Sequence, residues 1–280
     1  MLRRRAFRRA WNRTFPRVPL MLRVFPGLWW LAQDDAVSDQ LFAGFELRER
    51  QFLNRILTPG MTVLDIGAHA GLYTTLASKR VGPSGRVLSF EPSARERRRL
   101  KRHVSLNCSR NVSVIDFAIG EHEGQADLFI VEGRETGCNS LRRARGFAGH
   151  SVRVRVRCLD DCYHEGMFTS VDVIKMDIEG GELSALRGGD AVFRSLRPVL
   201  LCEVEEARLE PWAFRGREVI DLVRSWNYHW FTLGHHGHLM DVPATEERFN
   251  GNYAAVPIER CADVLGRVAD AAGSINQSGA

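Results

Sequence analysis

The chain has 280 residues, 44% of them hydrophobic and 26% charged, a globular balance that excludes wholesale disorder. Its 25 glycines follow no triplet period, and no run approaches the ~18 apolar residues of a membrane-spanning helix, so collagen-like and α-helical membrane classes fall away. The net charge of +5 is unevenly placed: residues 1–33 hold eight arginines and no Asp, Glu or Lys, which leaves −3 on the rest and argues against a body that grips nucleic acid through a basic face.

In chain order, residues 1–40 read as a basic arm or lead-in. Trp11, Phe15, Phe25, Trp29 and Trp30 are interleaved with the arginines, while Arg13, Pro16, Arg17, Pro19, Arg23 and Pro26 interrupt every stretch apolar enough for a secretory signal. The favoured reading packs these aromatics on the domain; the other lays them on an anionic membrane surface. A cytoplasmic location is expected, with peripheral contact at the inner membrane face as an extension of it.

Apolar residues at 41, 42, 45, 52, 53, 56 and 57 fit a helix that Thr58-Pro59-Gly60 stops. A strand is predicted over 61–66, a helix over 70–79, a strand over 86–90, a charged helix over 93–106 and a strand over 112–117. That alternation points to a parallel sheet with right-handed crossovers. A short strand over 125–131 and a polar loop over 133–149 follow, then a strand over 151–157 with Val inward and Arg outward. Strands over 171–176 and 198–204, helices over 182–186 and 214–226, and strands over 228–233 and 253–257 complete a body taken as 41–260. Residues 261–280 read as a flexible tail.

Six cysteines at irregular spacing, with no CxxC pair, read as reduced thiols. Cys158, Cys162 and His164 are close in sequence, as are His235, His236 and His238. Neither group has paired ligand spacing, so no metal site is assigned.

Val63-Leu64-Asp65-Ile66-Gly67-Ala68-His69-Ala70-Gly71 is a strand, an Asp-x-Gly-x-x-x-Gly turn and a helix start. Glycines there admit close backbone approach, and free N–H groups face a ligand. A dinucleotide fingerprint would have glycine where Asp65 stands. A carboxylate repels a diphosphate but suits a ligand with a cationic end. S-adenosylmethionine has an ammonium and a sulfonium and no phosphate. Asp65, Gly67, Ala68 and Gly71 are therefore candidate cofactor residues, and Glu91, ending the second strand, is placed to accept from ribose hydroxyls. Asp116 is a candidate acceptor for an adenine amino group; Phe117 stacks on the ring or packs in the core.

A second stretch, Lys175-Met176-Asp177-Ile178-Glu179-Gly180-Gly181-Glu182, sets three carboxylates at the carboxyl end of the fourth main strand, the edge where open α/β sheets bind ligands. Acids at a helix start are common, which is a plain reading for Glu182 and in part for Glu179. Asp177 follows an apolar strand and is expected to be partly buried. Clustered carboxylates raise one another's pKa and make a general base, or hold a divalent cation. Lys175 is a natural partner for one of them. On the fifth strand Glu203 or Glu205 faces the same pocket.

Together these stretches resemble the FkbM-like methyltransferases, a family of S-adenosylmethionine-dependent O-methyltransferases. The resemblance covers roughly 45–257 and rests on VLDIGAHAGLYT (63–74), SFEPS (89–93), RCLDD (157–161), VIKMDIEGGELSALRGG (173–189), LLCEVE (200–205) and NYAAVP (252–257), the fourth being the most specific. It implies an α/β, Rossmann-like class I methyltransferase fold: a seven-stranded, mostly parallel sheet flanked by helices, with an antiparallel edge hairpin. It also implies that Asp65, Gly67, Gly71 and Glu91 line the cofactor site. Asp177, Glu179 and Glu182 match the family's carboxylate cluster near the methyl-transfer centre. Ser140, in Cys138-Asn139-Ser140-Leu141, falls in a loop expected to cover the site. The family's glycine turn often has Asn where His69 stands, so His69 touches either cofactor or acceptor.

The expected reaction is in-line attack of an acceptor hydroxyl on the sulfonium methyl group, with alignment and water exclusion as the main contributions. Asp177, Glu179 or His69 would remove the proton, and Glu182, Ser140 and Glu203 stand on the substrate side. A small-molecule, sugar or glycolipid hydroxyl is the expected acceptor, a sugar first. An NAD-dependent oxidoreductase would need the missing glycine. A nucleic-acid N-methyltransferase would carry Asn/Asp-Pro-Pro-aromatic where Asp177-Ile178-Glu179-Gly180 stands. A non-enzymatic protein docking through its arginine arm is the third alternative.

Overall fold

The computed structural model describes residues 10, 11, 14, 20–25, 27–32, 36–42, 44–143, 146–243 and 245–270. Most of the arginine arm (1–9, 12–13 and 15–19) and the tail from 271 onward lie outside the described residues. The first described pairing is a hairpin of β1 (Leu20–Phe25) and β2 (Leu28–Ala32), followed by α1 (Ala36–Phe42) and α2 (Leu47–Ile56). The alternating body begins with β3 (Thr62–Ile66), α3 (Leu72–Val81), β4 (Arg86–Phe90), α4 (Ala94–Leu106) and β5 (Val112–Ile115). A small sheet is inserted next, from β6 (Ala118–Ile119), β7 (Gly124–Val131) and β8 (Gly149–Arg157), ending in α5 (Leu159–His164). The body resumes with β9 (Val173–Met176), α6 (Glu182–Arg187), α7 (Asp190–Leu196), β10 (Val199–Glu205), α8 (Glu206–Leu209) and α9 (Gly216–Ser225). It closes with β11 (Tyr228–Leu233), β12 (Leu239–Asp241), β13 (Asn250–Pro257) and α10 (Cys261–Asp270).

The main sheet has the order β12-β11-β13-β10-β9-β3-β4-β5. Its five strands from β10 to β5 are parallel, and β13, β11 and β12 add antiparallel to one side. Seven of these strands are the ones the sequence pattern predicts; β12 is a three-residue addition on β11. Parallel strands buried on both faces read as continuous apolar runs. Leu64, Leu88, Ile174 and Leu200 fill one face, and Val63, Val87, Val173 and Val199 the other. The order places the carboxyl ends of β3, β4 and β9 side by side, and both chemical motifs leave the sheet there.

The boundaries 41–260 are too narrow at both ends. The lead-in is not a separate arm over 20–32. Trp30 is fully buried and stacks on His103 of α4 with ring centroids 3.8 Å apart. The Leu31 amide donates to His103 Nε2 at 3.1 Å, the Trp29 amide to Asn107 Oδ1 at 2.8 Å, and Lys79 Nζ to the Gly27 carbonyl at 2.9 Å. Side chains of α3 and α4 thus satisfy backbone groups along the hairpin that would otherwise face only water. At the other end, 261–270 is a helix and not a frayed tail: Val264 and Val268 are buried against the core, and Arg267 Nη1 caps the Ile56 carbonyl of α2 at 3.2 Å.

Replacing Trp30 by Ala removes a buried indole and its ring partner. The expected loss is about 3–5 kcal/mol of stability, read as a lower urea midpoint.

Candidate active site

The loop after β3 is built around three left-handed residues, Gly67 (φ 86°), His69 (φ 47°) and Gly71 (φ 90°). The amides of Gly67 and Ala68 both donate to the Phe90 carbonyl at 3.0 Å, which ties the loop to the end of β4. A Cβ on Gly67 would stand 1.9 Å from the Asp177 carbonyl oxygen, so glycine here lets the two motifs meet. Gly71 plays a different part. A Cβ there would strike Leu100 of α4 at 2.4 Å, so this glycine serves helix packing and borders neither of the two cavities at the site.

Asp65 also departs from its expected place. It points from β3 toward α3, is 2% exposed, and accepts from Thr74 Oγ1 at 2.5 Å. Burial pushes its carboxyl up to about 6, against the Thr74 bond and the Lys175 charge. It braces the first turn of α3 beneath the loop and does not line the cleft. Glu91 does line it. Its two oxygens accept from the amides of His69 at 2.8 Å and Ser93 at 2.7 Å. Burial, reinforced by the Glu96 charge, raises it to about 7 against those two bonds and Arg97. Phe117 forms an apolar wall, tilted against Phe90 at 5.7 Å, and so packs and lines at once. Asp116 points the other way along the chain, exposed and bonded to Arg155 Nη2 at 2.7 Å, so it is not placed to read a ligand in this cleft.

The second motif gathers around Lys175, which is 2% exposed. Its Nζ lies 3.2 Å from Asp177 Oδ2 and 3.4 Å from Asn252 Oδ1, above the Tyr73 ring. Burial works to raise Asp177, but the Lys175 charge and hydrogen bond outweigh it and hold this carboxyl below the usual range. Glu203 moves the opposite way: burial and the neighbouring Asp177 push its carboxyl well above the usual range, and it is hydrogen bonded to Asp177. Burial and Asp177 push Glu179 up to about 8, although Arg208 Nε lies 2.9 Å from its Oε2. Oxygens of Asp177, Glu179 and Glu203 fall within 4.8 Å of one another, and Lys175 and Arg208 already supply two positive charges to this group.

Two expected substrate residues are structural parts of the same turn. Glu182 is buried, accepts from the Ile178 amide at 2.8 Å, and borders neither cavity. Ser140 donates to the Glu179 carbonyl at 2.8 Å and lines the cleft, so the loop after β7 is pinned over the motif. His69 borders both cavities, with Nε2 3.4 Å from buried Glu96. Residues that sequence reasoning missed are Glu46, Tyr73 and Arg208. Tyr73 Oη donates to Glu46 Oε2 at 2.7 Å, and burial, opposed by Lys175, raises Glu46 to about 7. Tyr73 falls within the glycine-turn motif of 63–74; nothing around Glu46 marks it.

These residues bound two cavities. One, of about 610 Å³ with its open mouth, runs along Phe90, Pro92, Phe117, Ile119 and Leu128 and ends at Glu91, Gly67 and Asp177. The other, of about 970 Å³, is lined by Trp30, Phe45, Tyr73 and the carboxylates of Glu46, Glu135 and Glu203. They share Gly67, His69, Gly137, Asp177 and Glu179. Among the described residues no Lys or Arg lines the first cleft, so it offers a diphosphate no counter-charge. Its apolar wall suits a purine, Glu91 suits ribose hydroxyls, and ionised Asp177 suits a sulfonium. S-adenosylmethionine fits this set; a nicotinamide dinucleotide does not.

Fold and cleft define an S-adenosylmethionine-dependent methyltransferase domain. The model of the methyltransferase FkbM domain matches residues 65–230, more than half of the chain, and the chain belongs to that family. It is 27% identical over 246 residues to the AMB antimetabolite synthetase AmbE of Pseudomonas aeruginosa, covering 70% of this chain but only 11% of that protein. The 2-O-methyltransferase NoeI of Sinorhizobium fredii is 23% identical over 195 residues, 63% of this chain and 76% of NoeI. The crystal structure of the methyltransferase FkbM from Methylobacillus flagellatus KT aligns with a TM-score of 0.44 and 18% identity over 80% of this chain and 55% of that one.

Gly67→Ala is expected to abolish S-adenosylmethionine binding by calorimetry, because the new methyl group must displace the Asp177 backbone. Glu91 gives a pH signature. Its folded value of about 7 exceeds the ordinary 4.5, so across that window the folded state binds the extra proton and stability falls as pH rises. Urea titrations should therefore find Glu91→Gln gaining on wild type as the pH is raised from 4.5 to 7.

Proposed function

We propose that this protein is an O-methyltransferase acting on a hydroxyl of a sugar, glycolipid or other small polyhydroxy molecule. The observation that carries the reading is the junction of the two cavities, where Asp177, Glu179 and His69 stand between an apolar, cation-free cleft and an acidic, aromatic-lined one. S-adenosylmethionine supplies an electrophilic methyl group on a sulfonium in the first. The second is suited to an acceptor: carboxylates accept from hydroxyls, and Phe45 and Tyr73 offer ring surface to the C–H face of a sugar. Similarity to a 2-O-methyltransferase supports the same reading.

Asp177 is the preferred base. The Lys175 charge and the hydrogen bonds from Lys175 and Glu203 keep it ionised, so it is ready to take the acceptor's hydroxyl proton as the oxygen forms its bond to carbon. Glu179, raised to about 8, is protonated at neutral pH and serves better as a hydrogen-bond donor. No protein nucleophile is required, and the pinned loop at Ser140 keeps water from the junction.

The test follows labelled methyl groups from S-adenosylmethionine into glycan and glycolipid extracts. Asp177→Asn is expected to lower turnover by about 10²–10⁴ and to weaken cofactor binding far less, because Glu91 and the apolar wall still hold the ribose and the purine. Methyl transfer to nitrogen acceptors alone, or wild-type turnover by the variant, would overturn the reading.

A further inference from the structure

The hairpin that completes the acceptor cavity has a second, outward face. Leu22, Val24, Leu28 and Trp30 point inward and pack on the body. On the opposite side Met21 is 51% exposed and Trp29 40% exposed. Arg23 stands directly across from Trp29, and Leu31 across from Met21, so these four residues form one patch. The patch sits on a firm base, because His103, Asn107, Lys79 and Arg50 all bond to the hairpin backbone. Residues 1–19, which lead into it, carry seven arginines and no acid, against a net −3 beyond residue 33.

We propose that this outward face docks the protein on an anionic lipid bilayer. Trp and Met beside Arg make an interfacial pattern: the apolar side chains enter the headgroup boundary while guanidinium groups pair with lipid phosphates. One such signal binds only marginally; apolar insertion combined with a basic segment binds stably. Charge complementarity selects the occupant, since Arg23 lies on the outward face and seven arginines precede it in the sequence. A single-stranded nucleic acid would also take arginines and a tryptophan, but it gains nothing from Met21 and Leu31. Strand alternation has a further result. Trp29 faces the lipid while its neighbour Trp30 walls the acidic cavity, which suits an acceptor held at the membrane; this last point rests on the acceptor assignment above, whereas docking does not.

The experiment is sedimentation of the full chain with vesicles of phosphatidylcholine alone or mixed with phosphatidylglycerol, with no acceptor needed. The protein should pellet with the mixed vesicles only and be released by high salt. Met21→Ser with Trp29→Ser should weaken binding at least about tenfold, and Arg23→Gln about fivefold, with cofactor affinity unchanged as the check on folding. No pelleting with anionic vesicles, equal pelleting with both lipids, undiminished binding by the double variant, or displacement from vesicles by a single-stranded RNA oligonucleotide would each overturn the proposal.

Discussion

A buried ammonium organises the site. Burial alone would discharge Lys175, but the Asp177 carboxylate 3.2 Å away outweighs it and keeps the ammonium protonated. In return it divides the carboxyl groups into two populations. Asp177, in direct contact, stays ionised; Glu46, Glu179 and Glu203, farther away and as deeply buried, are pushed toward the protonated form. Carboxyls whose environments drive them apart are how a single pocket offers a proton acceptor beside proton donors. The position of Lys175 depends in turn on β9 lying beside β3 and β10, with Lys175 in register with Asp65 and Leu201.

Much of this is legible in the chain. Apolar runs separated by glycine turns mark the parallel strands because buried strands must be apolar on both faces. Asp177 is marked by following such a run, and Gly67 by the turn it opens. The expectations that moved did so for tertiary reasons. Asp65 and Glu182 are unusual carboxylates, as the sequence suggests, but Thr74 and the Ile178 amide claim them. Asp116 is drawn outward by Arg155 on β8, a neighbour brought close only by the inserted sheet. Gly71 looks like part of a ligand turn, whereas its freedom from a side chain admits Leu100.

The hairpin is the hardest element to read. Arg23 and Pro26 interrupt its apolar pattern as they do in the arginine-rich stretch before it, and its docking partners His103 and Asn107 stand more than seventy residues away. Glu46 and Asn252 likewise come from opposite ends of the chain, meeting only at Lys175 and Tyr73. Local periodicity carries no record of such encounters.

Every residue lining the first cleft falls inside the family-matched span 65–230. The second cavity borrows Trp30, Ala36, Val37, Phe45 and Glu46 from before that span. The second cavity is thus a composite: substitutions in the N-proximal segment reshape one of its walls and leave every residue of the first cleft in place, while Glu46, through Tyr73, ties that wall to the Lys175 cluster.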